Sequence, residues 1–267
     1  MAPTLERIYQ AVWQRFREAT KKAHDEKGYV ACLEDNLLRG VDPALIRADF
    51  NKGDGDELKM KIMAVHSSSA LAANTFGPWK TDPAKLTVLG RSGFGPPALE
   101  WKASRWFNAR PPNLDVLLES AKNVIGIESK FTELLGKKRP NIQASYLRKN
   151  FPNCDDAWWN LLGEARTWPP SHFDVAQIIK HSLGLSNTFR DSRPVHLIYL
   201  YWAPVNADDF PEYRLHAKDV EKVAARVRRS SLKFTAMTYS ALWDQWLEIP
   251  DLKLHAESLR ERYEVTA

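Results

Sequence analysis

Asp115, twelve intervening residues, and then Glu128-Ser129-Lys130 set two carboxylates and one lysine at a spacing that a short hairpin would fold together. That trio suits metal-assisted cleavage of a phosphodiester. Mg²⁺ is a hard ion that keeps several waters and takes one or two carboxylates plus phosphate oxygens. Asp115 and Glu128 can be those carboxylates, with the backbone carbonyl of Ser129 as a third ligand. A metal ion makes its water easier to deprotonate at neutral pH. Lys130 would orient that water and offset charge building on the phosphate oxygens. The competing reading is a solvated strand face cross-paired by charge. Against it, Glu128 follows Val124-Ile125-Gly126-Ile127, a run suited to a buried strand, and a carboxylate there needs a partner or a metal.

The elements that must position these groups follow from periodicity. Leu114, Val116 and Leu118 are expected on one face of a first strand, with Asp115, Leu117 and Glu119 on the other. In the second, Ile125, Ile127, Ser129 and Phe131 share a face opposite Val124, Gly126, Glu128 and Lys130. Residues 120–123 are polar and short enough to be the turn. Leu99-Glu100-Trp101-Lys102-Ala103 reads as a preceding strand. Residues 173–185 fit an amphipathic helix with Phe173, Ala176, Ile179 and Leu183 on one face. Residues 194–202 fit a buried strand, followed by a helix over 213–230 and a strand over 234–242.

With its elements in this order, the chain resembles the PD-(D/E)XK nuclease superfamily, the restriction-endonuclease-like fold. Asp115 and Glu128-Ser129-Lys130 carry the resemblance, although the usual Pro-Asp pair is here Pro112-Asn113-Leu114-Asp115. A narrower similarity is to bacterial proteins of restriction-endonuclease type. Its carriers are Gly53-Asp54-Gly55-Asp56-Glu57-Leu58 and the run from His66-Ser67-Ser68-Ser69 through Phe76-Gly77. The resemblance implies an α/β (α+β) core, a central mixed β-sheet flanked by helices. It implies residues 67–267 as the nuclease domain behind an N-terminal helical extension, 1–66, or one continuous domain. It also implies Mg²⁺ as cofactor, with Mn²⁺ able to substitute, and a 5′-phosphate product. Many members add a glutamate from the first core helix and a residue from the second. Glu57 is the candidate for the former, with Glu100 as its rival, and Gln177 and Lys180 are candidates for the latter. For Glu57 the plain alternative is an acid favourable at a helix N-terminus; for Gln177 and Lys180 it is a solvated helix face. Glu119 reads as a rim residue.

A net charge of +5 and a pI near 9.1 agree with a polyanionic partner without deciding it. Lys137-Lys138-Arg139 directly follows the Glu128 strand and could line a groove for the DNA backbone. Arg148-Lys149 and Arg226-Val227-Arg228-Arg229 lie farther along and read as solvated faces. Cys32 and Cys154 stand far apart, which argues against a zinc ribbon or disulfide framework and suits a reducing cytoplasm. No stretch has the length and apolarity of a membrane span. Gly90-Arg91-Ser92-Gly93 runs into Pro96-Pro97 and is neither a P-loop nor a dinucleotide fingerprint. His66-Ser67-Ser68-Ser69 lacks the nucleophile-elbow pattern.

Leu5, Ile8, Val12, Phe16, Ala19 and Ala23 follow helical spacing, and Gly28 stops the run. Residues 77–97 read as a Gly- and Pro-rich loop, and 136–171 as a Trp-rich insertion in which Trp158-Trp159 are expected to be buried. The expectation is a Mg²⁺-dependent endonuclease acting on double-stranded DNA, the cutting subunit of a restriction system. As a homodimer it could cut both strands of a palindrome, functionally paired with a DNA methyltransferase. The alternatives are a structure-specific repair or recombination nuclease and a catalytically inactive DNA-binding module.

Overall fold

The computed structural model describes residues 3–52, 61–103, 106, 111–189 and 193–267. Its helical N-terminal part comprises α1 (Pro3–Thr20), α2 (Leu33–Asn36), α3 (Pro43–Phe50) and α4 (Ser68–Phe76). A meander follows: β1 (Ala98–Lys102), β2 (Asn113–Glu119) and β3 (Val124–Lys130). Then come α5 (Asp156–Ala165), α6 (Val175–Phe189), β4 (Val195–Tyr201), α7 (Pro211–Val227), β5 (Lys233–Thr238), α8 (Tyr239–Leu247) and α9 (Pro250–Tyr263).

The strands form one sheet in the order β1-β2-β3-β4-β5. The first three are antiparallel neighbours, and β4 and β5 join in parallel. The architecture is α+β with a mixed sheet flanked by helices, as the resemblance implied. Helices lie on both faces because β3 and β4 are apolar on both sides, the pattern of a strand with no solvated face. One core joins Val116, Leu118, Ile125, Ile127, Ile198 and Leu200 of the sheet to α1, α3, α4, α8 and α9. The other joins Leu117, Val124, Leu197 and Tyr199 to α5, α6 and α7. The segment before Ser67 contributes Ile8, Val12, Phe16, Ile46 and Phe50 to the first of these cores.

Three details depart from expectation. Leu114 does not share the face of Val116 and Leu118: it lies with Leu117 in the α6 core, and its Cδ2 lies 2.6 Å from where a Cβ on Gly126 would stand. The period of two is therefore lost around Asp115. That is where the regular β2–β3 ladder ends, its last pair being Val116↔Ile127. Residues 239–242 do not continue β5. The Thr238 side chain accepts the Ala241 N–H at 3.1 Å, an N-cap that starts α8. Residues 77–97 also hold more structure than a loop. They carry 3₁₀ turns at Gly77–Lys80 and Pro83–Lys85, with Trp79, Leu86, Val88 and Phe94 buried.

Within the Trp-rich insertion, α5 buries both Trp158 and Trp159. The Trp158 indole N–H is satisfied by Ser230 Oγ at 2.8 Å. On the other side of the sheet, Asp49 at the end of α3 accepts from Lys80 at 2.5 Å and from the Leu99 N–H at 2.9 Å. This buried carboxylate fixes β1 against the N-terminal helices.

Candidate active site

The C-terminal end of β3 carries the acidic and basic side chains singled out from the sequence. Parallel pairing with β4 keeps it extended through Lys130↔Tyr201. Period-two alternation turns Glu128 and Lys130 toward the α6 side and Ser129 toward the α4 side. There Ser129 Oγ meets Tyr239 OH at 2.6 Å and donates to the Ser68 carbonyl at 3.3 Å. The Ser129 backbone N–H donates to Asp115 Oδ2 at 2.7 Å, so the carboxylate itself bridges β2 to β3 beyond the last ladder pair.

Asp115, Glu128 and Lys130 line one cavity of about 440 Å³, together with Glu100, Asn113 and Gln177. Glu128 is 1% exposed, and Lys130 Nζ donates to its Oε1. From α6, His181 Nε2 approaches Glu128 Oε2 to 2.7 Å, but without the alignment of a hydrogen bond. Burial pushes the Glu128 carboxyl up, yet Lys130 and His181 beside it prevail and hold it at about 2. Burial likewise opposes the charge on Lys130, but Glu128 and Asp115 outweigh it and raise the ammonium above its usual range. Asp115 goes the other way. Burial and the neighbouring Glu128 charge raise its carboxyl well above the carboxylate range, with Lys130 pulling against them.

A divalent cation fits this arrangement. Asp115 and Glu128 share one cavity with Lys130, two residues beyond Glu128, and Asp115 resists ionisation in the field of Glu128. Glu128 Oε2 is buried, with His181 Nε2 beside it at 2.7 Å. Among the described residues no three His, Cys, Asp or Glu side chains form a ready-made cage. Two carboxylates supplemented by backbone and water oxygens is, however, the coordination that Mg²⁺ accepts.

Glu57 lies outside the described residues. Its rival Glu100 stands in the cavity, buried, with a positive φ of 52° and with Asn113 Nδ2 donating to its Oε2 at 3.3 Å. A non-glycine residue in that conformation is strained, and such strain concentrates at functional sites. Gln177 lines the site and also a neighbouring cleft of about 620 Å³ that holds Lys138, Arg139, Tyr146 and Lys180. Lys180 lies over the Trp106 ring at 5.9 Å. Lys137 is exposed next to this cleft without lining it.

The remaining charged candidates are elsewhere. Glu119 pairs with Arg193 at 2.8 Å at the far end of β2. Arg148 pairs with Asp156 at 2.5 Å, and Arg226 with Glu164 at 2.9 Å. Neither arginine lines either cavity.

Sequence reasoning missed His181, although a signal existed: it is one helical turn beyond Gln177, so the two share a face of α6. It also missed Glu133, whose Oε1 accepts from Ser68 Oγ at 2.5 Å and whose Oε2 accepts the Phe131 N–H at 2.7 Å. His66, read as part of a run that carries the narrower similarity and lacks the nucleophile-elbow pattern, lines the same cavity. A family model described as "Restriction Endonuclease associating with ARP" matches residues 7–264. No curated protein and no solved structure matches the chain.

Proposed function

The chain belongs to the family of restriction endonucleases associating with ARP, and on that premise we propose that it is a Mg²⁺-dependent endonuclease of double-stranded DNA. The observation that carries this reading is the meeting of Asp115, Glu128 and Lys130 in one cavity at the end of β3. Asp115 and Glu128, with the carbonyl of Ser129, would hold the ion, and Mn²⁺ would substitute for it. When bound, the metal acidifies water and neutralises charge on the scissile phosphate.

The protein's own groups do the rest. The Ser129 N–H holds Asp115 in place, and Lys130, kept protonated by its two carboxylate neighbours, orients the attacking water and meets charge as it develops. Gln177, which lines both cavities, would contact water or phosphate there. Lys138 and Arg139 in the basic cleft, with Lys137 beside them, would follow the DNA backbone away from the cut. The protein would act as a homodimer that cuts both strands, functionally paired with a DNA methyltransferase. The family description links its members to ARP, so association with ARP is part of the same proposal. The retained Asp115, Glu128 and Lys130 speak against an inactive binding module.

The test is cleavage of mixed plasmid and phage DNA with Mg²⁺ and with EDTA, for the wild type beside Asp115→Ala. Discrete fragments that need Mg²⁺ and disappear in the variant are expected. Failure to cut methylated and unmethylated DNA alike would reject the nuclease reading.

A further inference from the structure

The cavity that holds the carboxylates does not end with them. Its other wall is built from the N-terminal segment: Tyr9 on α1, Tyr29, and His66 just before α4. The Tyr9 and His66 rings lie 4.1 Å apart by centroid, and Tyr29 stands edge-on to His66 at 6.5 Å. All three rings are partly exposed.

This wall is fixed to the catalytic strand rather than adjacent by chance. Tyr9 OH meets the Thr132 side chain, Ser129 Oγ bonds the Ser68 carbonyl, and Ser68 Oγ bonds Glu133. Trp13 Nε1 donates to His66 Nδ1 at 3.1 Å, which sets the tautomer with its proton on Nε2. Burial holds the imidazole at about 4, so the ring is neutral at physiological pH.

The charge of the cavity narrows what this end can take. Four acidic side chains (Glu100, Asp115, Glu128 and Glu133) line it against two lysines, Lys61 and Lys130. Glu133 stands at the aromatic end, beside Ser68. A phosphate group beside Ser68 would meet the Glu133 carboxylate and an uncharged imidazole, with Lys61 the one lysine that the N-terminal segment contributes to the lining. A flat, neutral ring bearing N–H donors meets aromatic faces to stack on and a carboxylate to accept its hydrogen bonds. The cavity, about 440 Å³, is of a size that takes such a group.

We propose that the Tyr9–Tyr29–His66 wall is a nucleobase subsite: it receives an unstacked base next to the scissile phosphate and favours bases with an exocyclic amine through Glu133. The proposal deepens the nuclease reading and rests on it for the identity of the substrate. An enzyme with such a subsite takes DNA whose base has left the stack, by extrusion or in a single-stranded stretch.

The probes are the four free deoxynucleosides with the full-length chain in EDTA, followed by saturation-transfer NMR. Transfer to the base protons of deoxycytidine, deoxyadenosine and deoxyguanosine is expected, with thymidine weaker. Replacing a stacking ring should weaken binding by at least about fivefold. The variants are His66→Ala and Tyr29→Leu, checked for folding by circular dichroism. Tyr29→Leu carries the test if removing His66 from Trp13 unfolds the chain. No transfer to any nucleoside, or transfer unchanged in the folded variants, overturns the subsite. Thymidine binding as well as the others, or an unchanged preference in Glu133→Gln, overturns the role given to Glu133. DNA cleavage by the wild type is scored separately. Cutting without nucleoside binding removes the subsite alone, and nucleoside binding through these rings without cutting removes the nuclease reading alone.

Discussion

The Ser129 N–H donates to Asp115 Oδ2 at 2.7 Å, across two strands whose regular ladder has already ended. The bond orients one carboxylate against the strand that carries the other, so β2 and β3 stay in register through a side chain. The bond favours the charged carboxylate, but burial and the neighbouring Glu128 outweigh it and hold the Asp115 carboxyl above its usual range.

Replacing that carboxylate by an amide separates its two roles. Asp115→Asn keeps an oxygen to accept from Ser129 and loses the charge. Cleavage should be abolished. A carboxyl whose folded value is raised destabilises the fold progressively as pH climbs from the unfolded value through the folded one. At neutral pH in EDTA the variant should therefore melt higher than wild type, by a few degrees (about 1 kcal/mol corresponds to roughly 2–4 °C at this size). It should also lose any rise in Tm on adding Mg²⁺. A variant that melts lower in EDTA would show that Asp115 is ionised without strain in the metal-free fold.

Lys130→Ala should leave DNA affinity nearly unchanged while the cleavage rate falls by about 10²–10³. The ion pair with buried Glu128 goes too, so unfolding by urea should reveal a loss of about 3–5 kcal/mol. Wild-type cleavage in this variant would remove Lys130 from the site.

Lys137 and Lys138 should act on DNA affinity and hardly on stability. Lys138 pairs with Asp174 at 3.5 Å with its side chain about half exposed, and such pairs contribute little. Changing both to Ala should reduce the slope of log affinity against log salt by about 1 for each lost phosphate contact. An unchanged slope would move the DNA path away from the cleft beyond α6.

Acid should destabilise the fold through His216. This histidine of α7 is inaccessible to solvent, bonds Tyr199 OH at 2.9 Å through Nε2, and is lowered by burial to about 4. The unfolded chain takes up this proton near pH 6.5, whereas the folded chain does not until about 4. Its contribution to stability is thus complete above pH 6.5 and is lost as pH falls toward 4. Between pH 6.5 and 5 the loss from this group should be about 1–2 kcal/mol. Urea unfolding at the two pH values should show a smaller difference in His216→Gln than in wild type. Equal differences would place the acid sensitivity elsewhere, for instance on His66 or His196, which burial also lowers to about 4.

The strand pattern of 124–130 already placed Glu128 and Lys130 on one face and Ser129 on the other. Those positions follow from a period of two, a local property of the backbone. The order of meander, helix and fourth strand was legible for the same reason. Apolar periodicity marks an element wherever it packs, and it marked α6 and β4 within a few residues. Period alone could not show that Leu114 turns to the α6 side or that β5 stops at Thr238. The first depends on Gly126 leaving room beneath it, and the second on a side-chain cap competing with strand extension. The site is divided in the same way. Asp115, Glu128 and Lys130 lie within one hairpin, so their spacing in the chain carried their proximity. Glu100 at a strained position within β1, and Tyr9 and His66 of the N-terminal segment, reach the same cavity from separate stretches of chain, and His181 on α6 reaches its Glu128. What brings them there is burial of two sheet faces by helices far apart in sequence, a condition that only the folded chain imposes.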